Sequence, residues 1–574
     1  MADVVSVDSL LDGWYPGWKP EHLDNHWLRM KSKPFSKEDE DKFWFVDFHW
    51  PRGFSPLGMM FVHDAAWTTQ LAAHMLPLPP AGGLVQRLGG PFLYESEVPI
   101  TSEWELGFRG ARIEKTMPKF LANFDATWDE RKWELELGLG YFESYDFAGK
   151  SLADLGQFMR DAQRFQQRAW EIHFELMYPL LAIYLQLYGV CAENGIDPAN
   201  VATMLQGREH KITETDRAMW DLVDEARRLD VGGVFAANEA PDIRRALAAA
   251  GGNAAIWLTK FDDFLQVYGH RTEGIADVNI PSWIEDNTSP LGQLKNFIES
   301  GERHDFDAGL QHAIAERDRV VEESRSKLSG DALAAYDELL GICQVANFAW
   351  WNEEHNYYID LRASIPMRDG ALAIGRELGV DRLDEATFMF FPELLDVCDG
   401  KEQYSNLRSM VQERAAYYDS YQSRRQEMPK VVGTLPERVD DPVLIEIFGM
   451  HQHYFDGLKA DAHVTELTGF PASAGVYEGR ARVLLSAMDL FELEDGEILV
   501  TEATSPNWSP AFAIIGACVC DGGGSLTHAA TVSREYGIPC VVGTSVATLR
   551  IETGDLLEVD GSKGTVKILA RASD

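Results

Sequence analysis

Asp521-Gly-Gly-Gly-Ser-Leu-Thr-His-Ala-Ala-Thr-Val-Ser-Arg-Glu-Tyr-Gly-Ile-Pro-Cys540 follows an apolar run, Ala517-Cys-Val-Cys520, that reads as a short buried strand. Three glycines interrupt regular structure. Thr527 to Tyr536 then has the character of a helix that Gly537 stops, and Ile538 to Val542 reads as the next strand. This strand–glycine loop–helix–strand order places His528 in the first turn of a helix. Unpaired backbone N–H groups and the positive end of the helix dipole favour an anion there. They also favour a neutral imidazole, which is the nucleophilic form. The reading is that His528 carries a phosphoryl group on an exposed, flexible loop. The plain alternative is a histidine that caps the helix or fills the core.

The flanking segments strengthen the first reading. Gly469-Phe-Pro-Ala-Ser-Ala-Gly475, Leu499-Val-Thr-Glu-Ala-Thr-Ser-Pro-Asn-Trp508, Gly522-Gly-Gly524, Thr527-His-Ala-Ala530, Arg534-Glu-Tyr-Gly-Ile-Pro539 and Val559-Asp-Gly-Ser-Lys-Gly-Thr-Val566 together resemble the mobile histidine domain of the phosphoenolpyruvate-utilising enzymes. That group includes phosphoenolpyruvate synthase, pyruvate phosphate dikinase and rifampin phosphotransferase. The resemblance covers about the last fifth of the chain. It implies that His528 is the phosphoryl carrier, with Thr527, where the family often has serine, and Arg534 beside it. Gly, Pro, Ala and Ser around Thr465–Gly475 suggest a connector that lets this domain swing.

The whole chain has 574 residues, enough for two or more domains. With 52 basic and 91 acidic residues its formal charge is −39. Such a surface repels nucleic acid and anionic membranes. No N-terminal stretch has signal-peptide form, and Leu176–Val190, the most apolar segment, is interrupted by Pro179 and Gln186, so it reads as a buried helix. The six cysteines are scattered and lack the paired spacing of a zinc site, so no metal ligands are assigned and reduced thiols in a cytoplasmic protein are expected.

Three organisational zones are expected: residues 1–425 as a mostly α-helical, aromatic-rich substrate-binding domain, 426–465 as an exposed connector, and 466–574 as a small α/β swivelling phosphohistidine domain. Trp14, Trp18, Trp27, Trp44 and Trp50 crowd the first fifty positions, either wrapping onto a core or lining a pocket for a flat substrate. Phe45–His49 reads as a strand, followed by a loop and a helix from about Met59. Residues 80–112, including Trp104-Glu-Leu-Gly-Phe108, read as short strands or loops. From Leu152 onward the spacing becomes helical, with further helices near 214–228, 242–250, 253–268, 306–328 and 331–360.

Two places in the helical body invite a functional reading. Tyr268-Gly-His-Arg-Thr-Glu-Gly274 with Ile280-Pro-Ser-Trp-Ile-Glu-Asp286 resembles pieces of rifampin phosphotransferase-like proteins. His270 and Arg271 are candidate substrate-binding residues, the Arg271 fork suiting phosphate oxygens, and His49 joins them because a similar histidine precedes a Pro-Leu-Gly turn in that family. Trp350-Trp-Asn-Glu-Glu-His-Asn-Tyr-Tyr-Ile-Asp360 supplies the second place. There His355, with Glu354, is the candidate base for a hydroxyl proton, the alternative being a hydrogen-bonded polar set on a buried helix. The comparable helix in rifampin phosphotransferase carries an Arg-Glu and lysine pattern. Here only Glu354 is kept, which weakens an antibiotic substrate.

No segment resembles the nucleotide-grasping domain or the phosphoenolpyruvate-binding barrel of the full-length relatives. The arrangement is similar to the larger subunit of the aryl-phosphate synthases. That resemblance implies a separate ATP-binding subunit as partner, ATP and Mg2+ bound on that partner, release of AMP and phosphate, and transfer from phospho-His528 to a phenolic hydroxyl. The alternatives are a phosphotransferase acting on a larger hydroxylated compound such as an antibiotic, and a phosphocarrier or regulatory protein.

Overall fold

In the computed structural model the described residues are 4–11, 14–23, 33–75, 81–197, 200–272, 275, 278–300, 304–380, 382–422, 424–437, 439, 441–459 and 464–572. Trp27, Glu273 and Gly274 lie outside them. The chain is multidomain. It divides into two compact units, one built from Met1–Ala182, Gly274–Ile280 and Tyr358–Glu437, the other from Ile183–Glu273, Pro281–Tyr357 and Arg438–Asp574.

The first unit combines helices with a six-stranded sheet. Its strand order is Val4–Val5, Val431–Thr434, Phe43–Val46, Phe92–Pro99, Ala81–Gly89 and Lys33–Pro34. Part of the stretch expected to be an exposed connector is therefore a buried strand, Val431–Thr434, paired antiparallel with Phe43–Val46. Two adjacent valines on a Gly-containing segment fit a central strand position, because β-branched residues pack well there. Gly433 makes the close approach possible: its φ is +81°, and a Cβ there would lie 1.9 Å from the Lys42 carbonyl oxygen.

The aromatic residues of the N-terminal segment mostly serve the core. Trp44 is fully buried and donates its indole N–H to the Asp39 carbonyl at 2.8 Å. Trp50 donates to the Ile275 carbonyl at 2.7 Å and joins a ring cluster with Phe54, Phe61 and Trp170. The helix expected from Met59 is Met59–Met75. Of residues 80–112, expected as short strands or loops, Ala81–Gly89 and Phe92–Pro99 are strands, whereas 103–112 are helical. Ser102 accepts the Glu105 N–H at 3.3 Å and starts the helix Glu103–Ala122, and Trp104 and Phe108 stack one turn apart with ring centroids 5.5 Å apart.

The helix expected from Leu152 is Leu152–Glu193, opened by a reciprocal Ser151–Asp154 cap. By length and composition it could cross a membrane, and 56% of its most apolar window is buried inside the protein. The single helix expected over 331–360 is two, Gly330–Val345 and Phe348–Tyr358. Asn347 separates them: its side-chain oxygen accepts the Trp350 N–H at 3.0 Å while its amide donates to the Leu205 carbonyl at 2.7 Å.

The second unit holds an eight-stranded sheet ordered Glu466–Thr468, Thr565–Ala570, Leu556–Asp560, Val476–Val483, Ile498–Thr501, Ala517–Cys520, Cys540–Val542 and Phe470–Ser473. Its centre, Val476–Val483 through Cys540–Val542, is parallel, and antiparallel strands flank it. A parallel sheet must bury both faces. One face closes over Val519, Val541, Ala547 and Leu557. The other shares a core with helices of residues 211–306, through Trp220, Trp257, Phe297, Leu499, Phe512 and Ala530. The segment read as a swinging connector at Thr465–Gly475 supplies two strands of this sheet, Glu466–Thr468 and Phe470–Ser473. All six cysteines are free and buried.

Gly433→Ala distinguishes a strand from a connector at this place. The added methyl collides with backbone, so a thermal melt is expected to fall by several degrees, whereas an unchanged melting temperature would show that Val431–Thr434 is not held against Lys42.

Candidate active site at His528

The helix Thr527 introduces is His528–Tyr536, and Gly537 ends it in the left-handed conformation at φ +69°. The loop before it is not free. Gly523 and Gly524 donate their N–H groups to the Phe448 and Ile447 carbonyls at 3.3 Å, and Leu526 donates to Glu446 at 3.1 Å. A Cβ on Gly524 would meet the Ile445 and Glu446 carbonyl oxygens at 2.3 and 2.4 Å. The glycines are thus needed for two backbones to approach, not for flexibility. Below them, the buried Glu446 carboxylate accepts hydrogen bonds from Ser525 and Tyr184, and burial raises its pKa to about 7.

His528 is buried, only 6% exposed, rather than displayed on an open loop. Its Nδ1 lies 2.9 Å from Thr504 Oγ1, and Phe512 presents its ring edge-on at 5.9 Å. Nε2 has no hydrogen-bond partner among the described residues. The Glu353 carboxylate, itself fully buried, is 3.9 Å from it. Burial, and then the charges of His210 and Arg271, lower the pKa of His528 to about 3. The imidazole is neutral at any physiological pH. In the tautomer whose Nδ1–H donates to Thr504 Oγ1, the lone pair sits on Nε2, the nitrogen left open for nucleophilic attack.

The two cations are held in place by named contacts. His210 is buried and donates from Nε2 to both oxygens of Glu535, at 3.1 and 3.2 Å. Burial alone would disfavour its charge, but the Glu535 carboxylate outweighs that and raises the His210 pKa to about 9. Arg271, 1% exposed, lies over the Trp283 ring at 4.7 Å and donates to the Pro506 carbonyl at 3.3 Å. Asn507 donates to the neighbouring Thr272 carbonyl. Asp216 completes this wall: its oxygens accept from Ser509 Oγ at 2.8 Å and Tyr536 OH at 2.9 Å, and burial raises its pKa to about 6.

Of the residues singled out by sequence, His528 and Arg271 come together. Thr527 ties its hydroxyl to the Gly524 carbonyl at 2.8 Å, and Arg534 donates to the Ser525 and Ala472 carbonyls at 2.7 and 3.0 Å, so both shape the loop. Glu354 accepts the Lys211 backbone N–H at 2.8 Å, satisfying the first turn of the helix Lys211–Arg228. His355 is buried, stacks on Trp351 at 4.2 Å and bonds through Nδ1 to the Trp351 carbonyl at 2.9 Å. His270 is half-buried in the bend after the helix Asn253–Tyr268. His49, in the first unit, bonds through Nδ1 to Asp47 at 2.6 Å. Burial opposes its charge, and the Asp47 carboxylate overcomes this to raise its pKa.

Sequence reasoning missed Thr504, His210, Asp216 and the role of Glu353. Thr504 lies inside a stretch already quoted for its resemblance. Glu353 adjoins Glu354, and only the phase of the helix tells which of the two faces His528. His210 carried no motif.

Residues 493–564 match the family described as PEP-utilising enzyme, mobile domain, and residues 173–353 match the rifampicin phosphotransferase fourth domain. Chondramide synthase cmdD of Chondromyces crocatus is 30% identical over 550 residues, 93% of this chain and 14% of that protein. The rifampicin phosphotransferase of Bacillus cereus is 29% identical over 319 residues, 54% of this chain and 34% of that protein. The phosphoenolpyruvate synthase of Pyrococcus furiosus is 47% identical over 100 residues, 17% of this chain and 12% of that protein. The chain thus spans about a third or less of each of these relatives. Thr504, His528 and Glu535 fall in the first matched segment, and His210, Arg271 and Glu353 in the second. The chain carries a PEP-utilising mobile domain and a rifampicin phosphotransferase-like domain.

The His210–Glu535 pair has a pH signature. Because the folded pKa of His210 lies above its unfolded value, its stabilising contribution is full below about pH 6.5 and is lost as pH rises through about 9. The melting-temperature gap between the unaltered protein and His210→Gln should be widest near pH 6 and close by about pH 10, corresponding to on the order of 3 kcal/mol. A gap that does not change with pH would show that His210 is not charged in the folded state.

Proposed function

We propose that the chain is a phosphohistidine-dependent phosphotransferase that transfers a phosphoryl group from His528 to an organic hydroxyl. The observation that carries this reading is the buried, neutral imidazole with Nδ1 bonded to Thr504 and Nε2 open beside two cations and one carboxylate. His210 and Arg271 offset the negative charge of the phosphoryl group in a site of low dielectric. These groups suit an anion rather than a divalent cation. ATP with Mg2+ is accordingly the substrate of the first half-reaction, on a separate ATP-binding subunit or domain, where Mg2+ neutralises the polyphosphate charge.

In the second half-reaction the acceptor oxygen attacks phosphorus as the Nε2–P bond breaks. The phosphorylated ring keeps its Nδ1–H on Thr504 and leaves as neutral imidazole. The hydroxyl proton goes to a carboxylate, and Glu353 is the group at hand. The likeness to rifampicin phosphotransferases supports a hydroxylated acceptor in general terms. A phenol is the simplest acceptor of that class.

Single-turnover assays test the assignment. The protein is charged with labelled phosphate by ATP, Mg2+ and the nucleotide-binding partner, then mixed with a panel of phenols and larger hydroxylated compounds. His528→Ala should take up no label. Glu353→Gln should accept label normally and transfer it roughly 100-fold more slowly, while His355→Phe should transfer within a few-fold of normal. Labelling of His528→Ala overturns the carrier assignment. Unimpaired transfer by Glu353→Gln removes that residue as proton acceptor.

A further inference from the structure

On the helix His528–Tyr536, Thr531 and Glu535 lie three and seven residues beyond His528 and so share its face. On the helix Phe348–Tyr358, Ala349 and Trp350 precede Glu353 by four and three residues and share the face that turns Glu353 toward His528. These four side chains, with Gln206 and Arg208, line a cleft in the second unit. The cleft therefore opens one helical turn, about 5.4 Å, from the His528–Glu353 contact on both helices at once. Glu535, the partner of His210, forms part of its wall.

The cleft has the features of a slot for a flat ring. Trp350 is half-buried, and its indole N–H donates to the Glu209 carbonyl at 2.7 Å, which fixes the plane of the ring. The exposed Arg208 lies across that plane, its guanidinium carbon 3.4 Å from the ring centroid, close enough for face-to-face stacking. With Arg208 there, the cleft has room for about one water molecule. A cation–π contact at an exposed site is weak, so a flat ligand can replace the guanidinium. Gln206 adds a second feature. Its amide donates to the Ala313 carbonyl at 3.1 Å, while its Oε1 has no hydrogen-bond partner among the described residues. Buried acceptors are rarely left unmet in native proteins, and a polar substituent on a ligand would meet this one.

We propose that this cleft is the acceptor subsite, in which the ring of a hydroxylated aromatic compound takes the place of the Arg208 guanidinium on the Trp350 face. The proposal rests on the phosphotransferase reading above. The apolar body of the acceptor lies on Trp350 and Ala349. Its hydroxyl reaches past Thr531, along the groove between the two helices, to His528 and Glu353. A slot opened by moving one guanidinium is one planar group thick, which favours aryl over saturated alcohols. Trp350 and Arg208 act in opposite senses: the first binds the ring, and the second competes with it.

Equilibrium dialysis of the full, unphosphorylated chain against phenol, cresol, naphthol and cyclohexanol tests this. The aromatic compounds should bind and cyclohexanol should bind at least 10-fold more weakly. Trp350→Leu should weaken binding of the aromatic compounds roughly 10-fold. Arg208→Ala should strengthen it about 3-fold, because the competitor for the ring face is gone. In single-turnover transfer the half-saturating acceptor concentration should move in the same two directions. Absence of binding by every aromatic compound overturns the proposal, as does binding that neither substitution alters. Weaker binding in Arg208→Ala overturns the displacement of its guanidinium by the ring. Binding with the expected pattern but no phosphorylation of any bound phenol overturns the transfer reading instead, and leaves the ring site standing.

Discussion

The second unit depends on burying one neutral imidazole with its two nitrogens in different surroundings. An exposed histidine titrates near pH 6.5 and exchanges tautomers freely. At His528, burial and two nearby cations remove the first freedom, and Thr504 engages Nδ1 while Nε2 is left open. The cost is an Nε2 with no hydrogen-bond partner among the described residues, an arrangement that proteins avoid unless the group is used. Much of the neighbouring structure can be read as what makes this position possible. The Gly loop is pressed against Ile445–Phe448, Glu446 holds Ser525 from beneath, and Arg534 ties the loop to the adjacent strand.

The helical wall faces the same requirement. A parallel sheet whose face carries the His528 helix needs an apolar cover, and the helices of residues 211–306 provide it. Polar contacts are set within that apolar cover: His210 with Glu535, Asp216 with Ser509 and Tyr536, Arg271 with Pro506. Each is a buried charge or charge-bearing group paired to the histidine-bearing part. Breaking such a pair leaves an uncompensated charge, so geometry is specified more sharply than apolar packing alone would do. If the histidine-bearing part swings, as the family resemblance implies, these are the contacts to be exchanged for water. They are polar enough to be resolvated, which a purely apolar interface would resist.

The sequence was most legible where local chemistry is strong. The strand–glycine loop–helix–strand order around His528 and the Gly537 stop were readable because caps and glycines act within a few residues. Helices were readable from their apolar period, except where a single polar residue, Asn347, splits a continuous pattern by bonding across the chain to Leu205. Residues 103–122 alternate like a strand around Trp104–Phe108 and yet form a helix, because the alternation is local and the Ser102 cap is decisive. Gly-Pro-Ser composition at 465–475 suggested a hinge, although strands at the edge of a sheet tolerate the same residues. The site itself was only half legible. Arg271 and His528 carry motifs, whereas Glu353 and His210 matter through helix phase and tertiary approach, which no spacing rule reports.

Charge sets the last constraint. A protein with a formal charge of −39 repels ATP, phosphate and aryl phosphates alike, so long-range attraction cannot concentrate a phosphorylated donor at its surface. The cations that matter have to act at short range, where screening and the acidic background count for little. His210 and Arg271 meet that condition by being buried, each with its charge maintained by a specific partner rather than by solvent: Glu535 for one, the Trp283 ring and the Pro506 carbonyl for the other.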